Sequence, residues 1–182
     1  MRKWNAVLSV GILALFLIHA IAGSFQLSGI SQGGSEFMVI IAHAMVCLVL
    51  LHIIIGIKLT ADTFNAVKKS GVSYFKENKL FWIRRISGFA VMLFILFHIM
   101  IFIGSSNGAF RLNLFEGMQL CSQLLLVLSV AVHAVSNIKP LTLALGAKNY
   151  KAFLTDVVLV LSILLVFMGA AFIVYYLRWN VF

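Results

Sequence analysis

The sequence predicts an all-α fold: an integral membrane bundle of five transmembrane helices, with the N-terminus cytoplasmic and the C-terminus outside. Three observations carry that prediction. First, of 182 residues 63% are hydrophobic, 10% are charged and one is proline, whereas a water-soluble domain is about 45–50% apolar and about 25% charged. A soluble fold of this length would leave much of that apolar surface facing water, so the lipid bilayer is the solvent that fits. Second, a helix needs about 20 apolar residues to cross a hydrocarbon core of about 30 Å, and five stretches of the chain qualify. Third, the basic residues gather on one side of those stretches. The same composition excludes a disordered chain, a collagen-like repeat and a secreted disulfide scaffold.

The first span runs from about Ala6 to Phe25 and the second from Phe37 to Leu59. The third runs from Ile86 to Gly104, the fourth from Leu114 to Ile138 and the fifth from Val157 to Leu177. Connections are short, and only Thr60–Leu80 and Lys139–Asp156 have room for surface helices. No repeat or linker divides the chain, so residues 1–182 are expected to form a single domain. Arg2 and Lys3, the apolar run and Ala20-Ile-Ala22 before Gly23 also resemble a secretory signal with its cleavage site. The run is longer than a usual signal core, which favours a retained first span. Asp156, before the fifth span, is expected to cap a helix N-terminus, where an anion is stabilised.

Loop charge sets the orientation. With the N-terminus in the cytoplasm, that side holds twelve basic residues, Arg2, Lys3, Lys58, Lys68, Lys69, Lys76, Lys79, Arg84, Arg85, Lys139, Lys148 and Lys151, and the other side two, Arg111 and Arg178. The net charge of +9 is therefore one positive cytoplasmic face. Nucleic acid is not the implied partner; anionic lipid headgroups or a soluble protein are. Cys47 and Cys121 fall inside apolar stretches and read as buried thiols rather than a disulfide. No Cys-x-x-Cys-His occurs, so any haem would be held by coordination alone.

All five histidines fall inside predicted spans, where an ionisable residue is a functional hypothesis by default. His19 is on the first span, His43 and His52 on the second, His98 on the third and His133 on the fourth. Odd-numbered spans run outward, placing His19 and His98 near outer ends, five or six residues from Ser24 and Gly104. Even-numbered spans run inward, placing His52 and His133 near cytoplasmic ends, each six residues before a lysine, Lys58 or Lys139. The result is one pair of histidines near each face, at levels about 12–15 Å apart. Two stacked bis-histidine sites suit two b-type haems, because neutral imidazole is a good axial ligand and a bundle core can hold a porphyrin. Gly11, Gly23, Gly56, Gly88 and Ala134 allow close approach of helices or of a macrocycle. Lys58, Arg84, Arg85 and Lys139 could pair with propionates of the inner haem. Any one of these histidines could equally make a bond between helices; four at two matched depths argue for ligation. His43 departs from the pattern. It is nine residues from His52, about 180° around the helix, so the two cannot face one axis. It could line a quinone or proton site, touch the fifth helix, face lipid, or replace His19 as a ligand.

These motifs resemble one known family, the single-chain, five-helix, dihaem cytochrome b anchor of succinate:quinone oxidoreductases and quinol:fumarate reductases. Arg84-Arg85-Ile86-Ser87-Gly88, with His98 ten residues on, looks like that family's entry into its third helix. Leu128-Ser129 followed by His133-Ala134-Val135-Ser136-Asn137 is similar to its fourth. Leu51-His52 with Gly56 matches the second, and Phe16-Leu17-Ile18-His19 the first. The resemblance implies that His52 and His133 ligate a proximal haem, with Ser87 beside it, and that His19 and His98 ligate a distal one. It implies a flavoprotein carrying FAD and an iron-sulfur protein on the cytoplasmic face, and a membrane quinone, menaquinone favoured, near the outer surface. This chain would hold no dicarboxylate site and would lie in a prokaryotic cytoplasmic membrane; pairing of two complexes into a dimer stays open. The quinone-site carboxylate of the family cannot be placed by motif. Glu36 and Glu116 are the acidic candidates, with Gln26, Ser24, Gln119 and His43 as hydrogen-bonding ones.

Two other classes compete. Another haem b quinol-oxidising anchor, serving a different reductase, is disfavoured where two ligands must share a helix, because His43 and His52 lie on opposite faces. A small transporter could use the histidines as a proton or metal relay, but the methionines do not cluster and no inverted repeat is present. A non-redox anchor or assembly factor is a third reading.

Overall fold

The computed structural model describes residues 1–33, 35–71, 78–102, 105–106, 109–110, 115–146 and 150–180. Lys76, Arg111 and Lys148, and the expected span limits Gly104 and Leu114, lie outside them. Five helices are each long and apolar enough to cross a membrane: α1 (Arg2–Leu27), α2 (Glu36–Ser70), α3 (Lys79–Phe102), α4 (Gly117–Ala144) and α5 (Tyr150–Asn180). Between α3 and α4 a minimal antiparallel pair joins Ser105–Ser106 to Ala109–Phe110. The protein is a multi-pass, all-helical membrane protein.

Most helix ends outrun the apolar stretches that predicted them, whereas α4 begins at Gly117, inside the expected start at Leu114. With 35 residues, α2 is about 52 Å long at 1.5 Å per residue. It continues unbroken into the Thr60–Leu80 connection, which has room for a surface helix. Thr60 and Thr63 do not interrupt it, because their hydroxyls donate back to the Gly56 and Leu59 carbonyls at 2.7 and 2.8 Å. It stops at Gly71, whose φ of 66° is left-handed and whose N–H reaches the Val67 carbonyl at 3.1 Å, a closure that glycine adopts without a Cβ penalty. Lys68 and Lys69 occupy the last turn, where the helix dipole favours cations. Helix α5 begins at Tyr150, so Asp156 is an exposed residue well inside the helix and not its cap. Both cysteines are free, as expected, but exposed on the helix surfaces rather than buried.

Helix α4 passes through Pro140 and continues to Ala144. Proline has no N–H to give the carbonyl four residues earlier, which is that of Ser136. Arg84 of α3 supplies the missing donor: its Nε lies 2.9 Å from the Ser136 oxygen. The break in one helix is thus satisfied by a cation from its neighbour, and α3 is fastened to α4 at the lysine-rich end of the bundle.

Packing is richest between α3 and α4 and between α1 and α2; α5 lies against both α4 and α1, and α1 also touches α4. Among the described residues, backbone packing between α2 and α3, α1 and α3, and α2 and α4 is slight or absent. Going round the bundle the order is therefore α2, α1, α4, α3, with α5 seated in the groove between α1 and α4. Phe64 and Phe81, ring centres 6.0 Å apart, bring α2 and α3 together at the lysine-rich end. At the opposite end Phe115, Phe172 and Tyr175 form a buried cluster with Leu27, Ile101 and Phe102 around it. Asn180 Nδ2 donates to the Phe115 carbonyl at 2.7 Å and ties the last turn of α5 to the start of α4. The most apolar stretch of each helix is only 6% (α2, α3) to 28% (α5) buried. In water such an exterior would drive aggregation; in lipid it is the surface the solvent requires.

Candidate functional site

In the cyclic order α2, α1, α4, α3, the pairs α1–α3 and α2–α4 are diagonals, so side chains bridging them meet on the bundle axis. The histidines are those side chains. His19 of α1 and His98 of α3 have ring centres 6.0 Å apart with planes at 77°. His52 of α2 and His133 of α4 have ring centres 6.4 Å apart with planes at 89°. The depth argument paired the same residues. With a metal–imidazole bond of about 2.0 Å and about 1.1 Å from nitrogen to ring centre, two imidazoles sharing one metal ion would have their centres up to about 6 Å apart. Both pairs have that span.

The separation of the two levels follows from helix rise. Ser9, which contacts His52, and His19 are ten residues apart on α1, while Ser87, which contacts His133, and His98 are eleven apart on α3. The levels are therefore about 15 Å apart, half the hydrocarbon thickness.

Hydrogen bonds to the rings decide which nitrogen is available. Ser9 donates its hydroxyl to the Asn5 carbonyl at 2.8 Å and presents its oxygen to Nδ1 of His52 at 3.4 Å. Ser87, itself 5% exposed, donates to the Arg84 carbonyl and lies 3.3 Å from Nδ1 of His133. Nδ1 of His98 lies 2.7 Å from Oε1 of Gln123. The Gln123 amide oxygen accepts from Nδ1–H of His98, leaving Nε2 with its lone pair for a metal, while the Ser9 and Ser87 hydroxyls contact Nδ1 of His52 and His133. The Nδ1 of His19 is buried with no hydrogen-bond partner.

Space around the rings is built from glycine. A Cβ on Gly88 would stand 3.1 Å from Cε1 of His133, so the imidazole rests directly on the α3 backbone. Gly23 and Gly56 lie one turn beyond His19 and His52, on the same helix faces, and a Cβ at either would meet nothing within 4 Å. Phe102 and Phe172 wall the His98 ring at centre distances of 4.9 and 6.5 Å. Among the described residues no three of His, Cys, Asp and Glu gather as ligands for a metal ion. Each pair would suit an ion that takes two imidazoles from the protein and brings its remaining donors with it, as a porphyrin does.

Other predicted residues fall away from the axis. His43 is exposed, with Nδ1 donating to the Val39 carbonyl at 2.7 Å, and joins neither pair. His19, not His43, faces His98. Arg84 is engaged with Ser136, and the Arg85 guanidinium lies 5.0 Å from the centre of the Phe81 ring, a cation–π distance. Lys58 and Lys139 are exposed at the lysine-rich end. At the opposite end Glu36 opens α2 and Gln26 is half-buried in the last turn of α1. Glu116 caps α4: its side chain accepts from the backbone of Gln119, whose own Oε1 accepts the Glu116 N–H at 3.1 Å. The sequence analysis missed Ser9 and Gln123. Each carried a signal, being a polar residue ten positions from a histidine on its own helix and so level with a histidine across the bundle.

Searches against protein-family models, curated proteins and solved structures find no match to this chain.

Proposed function

We propose that this chain is a dihaem cytochrome b: the membrane anchor and electron-transfer subunit of a succinate:quinone oxidoreductase or quinol:fumarate reductase in a prokaryotic cytoplasmic membrane. The observation that carries the reading is the double diagonal, two histidine pairs on the bundle axis with ring centres 6.0 and 6.4 Å apart. Iron in two b haems supplies one-electron transfer at these positions. His52 and His133 hold one through Nε2, and His19 and His98 hold the other. Gln123 holds the His98 tautomer, Ser9 and Ser87 contact the rings of His52 and His133, and Phe102 and Phe172 keep water from the second pair.

Lys58 and Lys139 lie where propionates of the first haem would reach the membrane surface. With Lys68, Lys69 and Lys79 they form the face for the iron-sulfur and flavoprotein subunits, which hold the dicarboxylate chemistry. Gln26, Glu36 and His43 are the side chains for a quinone, menaquinone favoured, and its protons at the opposite end; Glu116 is committed to capping α4. The test is the absorption spectrum of the purified full-length protein. A low-spin bis-histidine α-band at two haems per chain is the expected result. A colourless preparation would overturn the haem reading in favour of a histidine relay. Two haems without co-purifying flavin and iron-sulfur subunits would favour an anchor for a different reductase.

A further inference from the structure

Among the described residues Gln123 is the one polar side chain of the spans with 0% exposure, and its contacts form a chain with a single direction. The Gln119 carbonyl can only accept, so the Ser122 hydroxyl, 2.7 Å away, gives its hydrogen there. Ser122 Oγ is then an acceptor, and Gln123 Nε2 donates to it across 3.1 Å. That fixes the orientation of the amide. Oε1 is the atom turned to His98, 2.7 Å from Nδ1, and it accepts Nδ1–H. No other histidine of the four has so close an acceptor. The hydroxyl contacts of His52 and His133 are 3.4 and 3.3 Å long, and Nδ1 of His19 has no hydrogen-bond partner.

We propose that Gln123 sets the reduction potential of the iron held by His19 and His98, through the hydrogen bond it accepts from Nδ1–H of His98. The inference rests on the haem-binding reading above. An acceptor on the far nitrogen raises the basicity of a ligating imidazole, and a more basic ligand favours the more highly charged ferric ion. Burial strengthens the effect, because the bond lies in a low-dielectric interior with no water to compete. Gln123 is a positioning residue here: it acts through His98 and does not touch the metal.

The experiment is a redox titration of the purified full-length protein followed by haem absorbance. The His19→Ala variant identifies which of two one-electron waves belongs to this site. Gln123→Leu is expected to move that wave upward while the other stays in place; a tenfold loss of preference for the ferric state corresponds to about 59 mV for one electron. Gln123→Glu keeps an acceptor on His98 and is expected to return the wave to its original position or below. Should Gln123→Leu fail to hold the haem, Ser122→Ala decides instead. It releases the amide to rotate and is expected to give a smaller upward shift of the same wave. An unmoved wave, or both waves moving together, overturns the proposal while leaving two bound haems intact. A wild-type chain that binds no haem overturns the functional reading itself.

Discussion

His133 rests against the backbone of Gly88, and the contact is tight enough to predict how substitutions there sort by size. Its Cε1 would be 3.1 Å from a new Cβ, so Gly88→Ala requires a shift of a few tenths of an ångström and is expected to keep both haems. Gly88→Leu must push the imidazole off the axis and is expected to lose one haem of two, measured by haem content per chain. The histidines themselves divide in the same way. His52→Ala and His133→Ala are expected to lose one haem, His19→Ala and His98→Ala the other, and His43→Ala neither, because His43 is exposed and bonded to the Val39 carbonyl. Loss of a haem from His43→Ala with none from His19→Ala would reverse the assignment at the far level. These residues were legible as candidate ligands because a histidine inside an apolar span has no ordinary reason to be there. Their ring contacts were not, since Ser9 and Ser87 reach the rings across 43 and 46 residues of chain, a relation that no local pattern carries.

The helices show where sequence reasoning held and where it stopped. Hydropathy located five spans, yet it placed most boundaries short, because it reports where lipid ends and not where backbone hydrogen bonding ends; at the start of α4 it ran over instead, to Leu114 where the helix begins at Gly117. Helix α2 continues eleven residues beyond Leu59 to Ser70, through polar residues that helices tolerate in water. Pro140 is the sharper case. A proline normally ends a helix or leaves a carbonyl unpaired, and here the Arg84 side chain repairs the gap at Ser136 from 52 residues away. A bond from a charged donor to a partly buried carbonyl contributes about 1.5–3 kcal/mol, and its worth depends on the proline. In the wild-type background Arg84→Met is therefore expected to lower the melting temperature in detergent by several degrees. Combined with Pro140→Ala, which restores the backbone donor, the same change is expected to cost little. A coupling energy of about 1 kcal/mol or more between the two sites is the expected outcome of the cycle. Strict additivity would mean that Arg84 does not serve the proline gap.

For the whole molecule, the five spans fix which loops share a side of the membrane, and charge then selects the side. Lys3, Lys58, Lys69, Lys79 and Lys139 lie at one end of the bundle, while of the two basic residues assigned to the opposite end the described residues include only Arg178. Arg178 is held there, packed against Gly29 in the left-handed turn that follows α1. Each lysine or arginine near an anionic cytoplasmic leaflet gains about 1 kcal/mol, and translocating a basic loop is opposed during insertion. Summed over those five lysines the difference is several times the thermal energy, so one orientation is expected to hold for essentially every molecule. The measurement is thiol labelling of intact bacterial cells with a membrane-impermeant maleimide, in a chain whose Cys47 and Cys121 are replaced by alanine. Ser31→Cys, in the exposed turn between α1 and α2, is expected to react in intact cells. Lys69→Cys, in the last turn of α2, is expected to react only after the membrane is opened. The reverse pattern would put the lysine-rich end outside, where no cytoplasmic iron-sulfur protein could reach it. The proposed direction of wiring, from soluble subunits through His52 and His133 to His19 and His98, would then fail even if both haems were bound.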